Sequence, residues 1–198
     1  MRSFRHWTPR YAAAKLRLLW NERRHPDWPW LTRDAVKLLD SLLCRDDVGA
    51  EFGAGRSTLW LARRCARLTS VESDRAWYQR VARMLEENAI NNVGLLHRVE
   101  PEYVAVAEEM EDGSLDFALV DGIARDRCAL ALLPKLKPGG LMIIDNVNWY
   151  LPNRSHAPTS RRNDYETPVW AEVERRIASW RRIWTSNGVT DTLIAVRR

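Results

Sequence analysis

Apolar and polar positions follow two rhythms along the chain. Residues 10–22 carry Tyr11, Leu16, Leu19 and Trp20 at helical spacing. The run HPDWPW at 25–30 breaks that rhythm with two prolines. Thr32 or Asp34 can then cap a helix running to about Cys44, with Val36, Leu39 and Leu43 on one face. After that, short apolar runs and helical stretches take turns. VGAEFG (48–53) reads as a strand and 57–64 as a helix; LTSVES (68–73) as a strand and 74–88 as a helix. VGLLHRV (93–99) is a strand and 102–110 a short helix; LDFALVD (115–121) is a strand and 126–136 a helix; PGGLMIID (138–145) is a fifth strand. A polar stretch at 148–167 carries no clear element. A helix over about 168–180 follows, and two strands, RRIWTS (181–186) and DTLIAVR (191–197), flank SNG at 186–188.

Strand–helix alternation with short links predicts an α/β fold, a doubly wound parallel sheet covered by helices on both faces. The last two strands are separated by too few residues for a crossover, so they form an antiparallel hairpin, giving seven strands. In such sheets ligands bind at the carboxyl ends of the strands, and the chemistry-bearing residues of this sequence fall there. A helical extension over 1–45 and a main domain over 46–198 account for the 198 residues.

Composition narrows the classes. With 45% hydrophobic and 29% charged residues the chain is of globular type. No apolar run approaches the ~20 residues that span a bilayer, so no membrane partner is expected, and the basic start lacks the apolar core of a secretory signal. Cys44, Cys65 and Cys128 are scattered without zinc-ligand spacing and read as reduced thiols. The expected location is cytoplasmic. The net charge of +5 concentrates in residues 1–37, where nine Lys/Arg face three Asp/Glu. A solvated helix face is preferred there over a nucleic-acid contact. Ten tryptophans are many for this length. The N-terminal set, Trp7, Trp20, Trp28 and Trp30, is suited to line a pocket or a subunit contact, which leaves a homo-oligomer open.

The first strand ends in Glu51-Phe-Gly53-Ala-Gly55-Arg-Ser57-Thr58. The two glycines let backbone approach a ligand closely, and the following helix start offers unpaired N–H groups. A dinucleotide loop would want a third small residue where Thr58 stands, and Glu51 would face a pyrophosphate unfavourably. Glu51 suits an ammonium group instead. Glu72, 19 residues after Gly53, lies where an acid can accept both ribose hydroxyls.

Together with Ser-Val-Glu72-Ser73-Asp, Phe-Ala-Leu-Val-Asp121-Gly and Leu-Lys-Pro-Gly-Gly-Leu-Met-Ile-Ile-Asp145-Asn146, this order of motifs resembles the class I S-adenosylmethionine-dependent methyltransferases over about residues 48–197. The resemblance implies a Rossmann-like sheet of order 3-2-1-4-5-7-6 and S-adenosyl-L-methionine as cofactor. It implies that Glu51, Gly53, Gly55, Ser57 and Thr58 hold the methionine end, Glu72 and Ser73 the ribose, that Glu100 lies near the adenine, and that Asp121 lies near the sulfonium or the substrate. Asp121, Asp145 and Asn146 also resemble the Mg²⁺ ligands of catechol-type O-methyltransferases. The lysine base of those enzymes is absent, since Ala124 and Arg125 occupy its place. Two readings therefore stand: a metal at these three residues, or a metal-free site with His156 or Asp145 as base. His156 sits in the 148–167 stretch, which reads as a substrate lid. The expected activity is methyl transfer to a small-molecule acceptor, with a hydroxyl preferred over an amine. Alternatives are a nicotinamide-linked oxidoreductase and a non-catalytic cofactor-binding protein.

Overall fold

The structure, a computed structural model, describes residues 8–198; Trp7 of the N-terminal tryptophan set lies outside them. Its strands are β1 (Val48–Phe52), β2 (Arg67–Glu72), β3 (Val93–His97), β4 (Leu115–Val120), β5 (Leu136–Asp145), β6 (Arg181–Ser186) and β7 (Asp191–Val196). They form one sheet of order β3-β2-β1-β4-β5-β7-β6. The first five pair in parallel, while β7 runs antiparallel to both β5 and β6. The expected class, strand count and order are those observed.

The helices are α1 (Pro9–Arg24), α2 (Arg33–Leu42), α3 (Arg56–Ala62), α4 (Arg75–Glu87), α5 (Glu102–Glu109), α6 (Arg125–Leu132) and α7 (Pro168–Arg176). Local chemistry sets several of their ends. Thr8 caps α1 with Pro9 in its first turn, and the Asp74 carboxylate accepts the Trp77 backbone N–H to start α4. The helix expected over 126–136 stops at Leu132; a 3-10 turn, Leu133–Lys135, follows around Pro134, which cannot continue the hydrogen-bond ladder.

Side chains alternate across the sheet, as period-two strands must. Ala118 and Val120 of β4, Met142 and Ile144 of β5, and Leu193 and Ala195 of β7 pack against Tyr103, Cys128, Leu132, Trp170 and Val173 from α5, α6 and α7. Phe117, Leu119, Leu141, Ile143 and Ile194 face the opposite layer, where Ala35, Val36 and Leu39 of α2 meet Trp60 and Leu61 of α3. Thus α2 belongs to the core of the domain, whereas α1 has no buried residue. Among the described residues no helix is long and apolar enough to cross a membrane.

Candidate functional site

Parallel strands bring their carboxyl ends to one edge, and the polar residues after β1, β2, β4 and β5 meet there. A cleft of about 340 Å³ is lined by Trp30, Gly53, Gly55, Ser57, Glu72, Ser73, Trp77 and Asp121, among others. Gly53 holds φ +106°, a left-handed conformation that L side chains rarely adopt. A Cβ on it would stand 2.5 Å from the backbone nitrogen of Gly122. The turn after β1 therefore presses directly on the turn after β4, which brings Asp121 to the loop.

Glu51 is fully buried beneath this loop. Its Oε2 accepts the hydroxyls of Thr58 at 2.5 Å and Ser70 at 2.6 Å, and Thr58 in turn accepts the Gly55 backbone N–H at 2.8 Å. Its Oε1 is buried with no hydrogen-bond partner in the structure. Burial pushes the Glu51 carboxyl up to about 7, against the opposing pull of the hydroxyls. Thr58 and Ser70 thus hold Glu51 from below, while Ser57, whose hydroxyl also favours the ionised Glu51, lines the cleft. Glu72 is held differently. Its Oε1 accepts the backbone N–H groups of Ser73 and Asp74, both at 2.7 Å, which fixes the carboxylate at the cleft wall.

Asp121, Asp145 and Asn146 converge as the motif order implied, but they converge on Arg125. The Arg125 Nη2 lies 2.8 Å from Asp121 Oδ1, and its Nη1 donates to Asn146 Oδ1 at 3.0 Å. Asp145, only 3% exposed, accepts Thr192 Oγ1 at 2.7 Å and Asn146 Nδ2 at 2.8 Å. Burial, and then the Asp121 charge, push the Asp145 carboxyl up to about 7. Burial also raises Asp121, against the pull of Arg125.

Two expected residues do not line this cleft. Glu100 is exposed, does not line the cleft, and pairs with Arg127. His156 is exposed and lines a separate cavity of about 530 Å³ with Arg10, Tyr11 and Arg17 of α1 and the Asn187-Gly188 turn. The 148–167 stretch is a folded loop. Buried Asn148 ties it, donating to Ser160 Oγ at 3.3 Å and accepting the Asp191 N–H at 3.1 Å. Tyr150 stacks on Trp170 with ring centroids 5.0 Å apart.

Of the pocket-lining tryptophans that the sequence offered, Trp30 reaches the cleft, while Trp77 and Arg125 carry no such signal. Trp30 and Trp77 face each other across the cleft mouth with centroids 6.5 Å apart, and the Trp77 indole N–H donates to the Ala54 carbonyl at 2.6 Å. Trp30 stood in the proline-broken turn as one aromatic among several, and Trp77 had only a helical position to mark it. Arg125 registered only as a break in a pattern.

A family model described as a methyltransferase domain matches residues 50–147. No curated protein matches the chain. Among solved structures, the chain is similar to an O-methyltransferase from Bacillus cereus in complex with S-adenosylhomocysteine, at 17% identity and a TM-score of 0.64, covering 94% of this chain and 91% of that one. It is similar to a methyltransferase from Geobacter sulfurreducens at 17% identity and a TM-score of 0.58, covering 96% and 90%. An rRNA methylase from Streptococcus thermophilus aligns at 10% identity with a TM-score of 0.58, covering 84% and 97%. At such identities these likenesses speak for the fold, while the family match covers the segment from the Glu51 strand to the Asp145-Asn146 turn. Residues 50–147 thus carry a methyltransferase domain, and the chain has the class I methyltransferase fold.

Proposed function

We propose that the chain transfers a methyl group to a hydroxyl of a small-molecule acceptor, with the cofactor in the Gly53–Gly55 cleft. The observation that carries this reading is the buried, partnerless Oε1 of Glu51 beneath a glycine loop. Leaving a buried acceptor unpaired costs about 1–3 kcal/mol, more for a charged one. The ammonium of a methionine moiety is the cation that would satisfy it, directly or through water.

The other residues fit the same ligand. Glu72, with Oε1 committed to two backbone donors, keeps Oε2 for the ribose hydroxyls. Gly53, Gly55, Ser57 and Ser73 offer backbone and hydroxyl contacts along the cleft. When bound, S-adenosylmethionine supplies a methyl group activated by its sulfonium. The chain supplies alignment and exclusion of water, and good alignment is worth up to ~7–11 kcal/mol. The paired tryptophans, Trp30 and Trp77, shield the cleft mouth.

A hydroxyl acceptor needs a proton acceptor, and Asp145 is the candidate. A carboxyl raised to about 7 is ionised enough near neutrality to accept an acceptor proton and basic enough to hold it. In this reading Asp145 is the base rather than His156, which lines the α1 cavity. The likeness to the Bacillus cereus O-methyltransferase is in keeping with it. A base-flipping RNA enzyme fits less well, since Asp121-Gly122-Ile123-Ala124 offers no flat aromatic after β4 on which a base could stack.

Calorimetric titration with S-adenosylmethionine, S-adenosylhomocysteine and NAD in parallel tests the cofactor. The first two are expected to bind and NAD to be silent. A screen of phenolic, aliphatic and amine acceptors, read by S-adenosylhomocysteine release, then tests the acceptor. Tight NAD binding without S-adenosylmethionine binding would sink the whole reading, and turnover on amines alone would sink its hydroxyl part.

A further inference from the structure

Ala124 adopts a left-handed conformation, φ +45° and ψ 38°, and so turns the chain sharply between β4 and α6. That turn sets Arg125 at the first position of α6 with its guanidinium between the ends of β4 and β5. Every N–H of the guanidinium has an acceptor. Nε donates to the Gly122 carbonyl at 2.8 Å. Nη1 donates to the Asp145 carbonyl at 2.8 Å and to Asn146 Oδ1 at 3.0 Å. Nη2 donates to the Asp121 carbonyl at 2.6 Å and meets Asp121 Oδ1 at 2.8 Å. The Arg125 side chain is only 13% exposed.

These contacts bear on the divalent ion that the catechol-type resemblance implies. Such an ion would need oxygens of Asp121, Asp145 and Asn146 at about 2.0–2.1 Å. Asp121 Oδ1 and Asn146 Oδ1 both face Arg125. Asp145 accepts one hydrogen bond on each oxygen, from Thr192 and the Asn146 amide, and keeps further lone pairs, so it is the Arg125 charge that keeps an ion out. A guanidinium cannot shed its charge, so an incoming ion would meet a fixed positive charge at its own position. The residues present do not fit a metal.

We propose that Arg125 is the resident cation of this site. Its guanidinium stands where a divalent ion would, compensates Asp121 and Asp145, and makes methyl transfer independent of metal. The acceptor is then not held by chelation, so a single hydroxyl suffices and adjacent oxygens are not required. This inference rests on the methyl-transfer reading of the same cleft. It assigns Arg125 a positioning role, since its donors are spent on the protein.

Mn²⁺ titration followed by electron paramagnetic resonance tests it without turnover. EDTA-stripped wild-type protein and Asp121→Asn are expected to bind Mn²⁺ alike; any binding at the Cys44, Asp46 and Asp47 cluster is common to both. Arg125→Ala is expected to gain a site that Arg125→Ala/Asp121→Asn loses again. Wild-type binding that Asp121→Asn abolishes overturns the proposal, as does a folded Arg125→Ala protein that gains no site. If Arg125→Ala does not fold, Arg125→Gln replaces it, and the wild-type comparison still decides. S-adenosylhomocysteine titration of the same wild-type sample separates the two claims, because loss of that binding strikes the methyl-transfer reading alone. Where turnover is measured, the rate is expected to be unchanged by EDTA; EDTA inhibition reversed by Mg²⁺ overturns the proposal.

Discussion

The Thr192 hydroxyl donates to Asp145 Oδ1 at 2.7 Å, across the very register at which β7 meets β5. The same Thr192 hydroxyl accepts the backbone N–H of Thr32 at 3.1 Å, just before α2. The proposed base is therefore held by a β-ladder on one side and, through Thr192, by the N-terminal region. A hydrogen bond to the ionised form favours it. Thr192→Val should push the Asp145 carboxyl higher. Transfer by the wild type should rise with pH through about 7 as Asp145 ionises. In Thr192→Val the rise should move to higher pH with the plateau rate largely kept. Asp145→Asn should lower kcat by ~10²–10⁴. An unmoved profile in Thr192→Val, read by S-adenosylhomocysteine release, would remove Asp145 from the chemistry.

Glu51 links cofactor binding to pH. Burial raises its carboxyl from the ordinary 4.5 to about 7. The native state then holds a proton that the unfolded chain has released between those values. Its contribution to stability is therefore fully present below about 4.5 and is lost as pH rises through about 7. An ammonium ligand prefers the ionised form, so affinity should rise over the same window. Glu51→Gln should flatten both trends, and thermal melts and calorimetry across pH 5–9, the range about the pKa, would read them.

Glu72 offers a cleaner affinity test, since its carboxylate is pre-oriented by the Ser73 and Asp74 N–H groups. Glu72→Ala removes charge-assisted hydrogen bonds worth about 1.5–3 kcal/mol, or roughly tenfold or more in Kd. Affinity for S-adenosylhomocysteine equal to wild type would mean that the ribose lies elsewhere.

Packing beneath the glycine loop can be probed by a coupled pair. A Cβ on Gly122 would stand 2.0 Å from the Tyr103 hydroxyl, which is itself buried without a partner, and 2.9 Å from the Gly53 nitrogen. Gly122→Ala should destabilise by about 1–3 kcal/mol, a fall in Tm of roughly 2–4 °C per kcal/mol for this size. Tyr103→Phe removes the obstructing oxygen at little expense and should recover part of that loss in the double variant. Strict additivity in melting experiments would contradict this geometry.

The sheet and most of the cleft were legible because their signals are local. Glu51, Gly53 and Glu72 stand at strand ends, and strand ends can be read from apolar runs bounded by turns. The place of Trp30 in the cleft and the role of Arg125 were not legible, for a different reason. Trp30 reaches the cleft only through the path of the chain between α1 and α2. Arg125 reaches three carbonyls and two side chains only because Ala124 takes a left-handed turn that its residue type does not advertise. The 148–167 stretch shows no periodic element in the sequence because what orders it is irregular: backbone and side-chain bonds within the loop, such as Arg161 to Trp149 and Asn153 to Leu151, and Asn148 bonded to the start of β7.

The strand order carries a consequence for synthesis. β6 precedes β7 in the chain, yet β7 lies between it and β5. Until residues 191–196 emerge, β6 has no place to dock and β5 presents an open edge, with Met142, Ile143 and Ile144 beside it. Such an edge is a template for pairing with another chain. A nascent chain stalled between residues 145 and 190 would therefore be the species most exposed to aggregation, and the one for which a chaperone matters most.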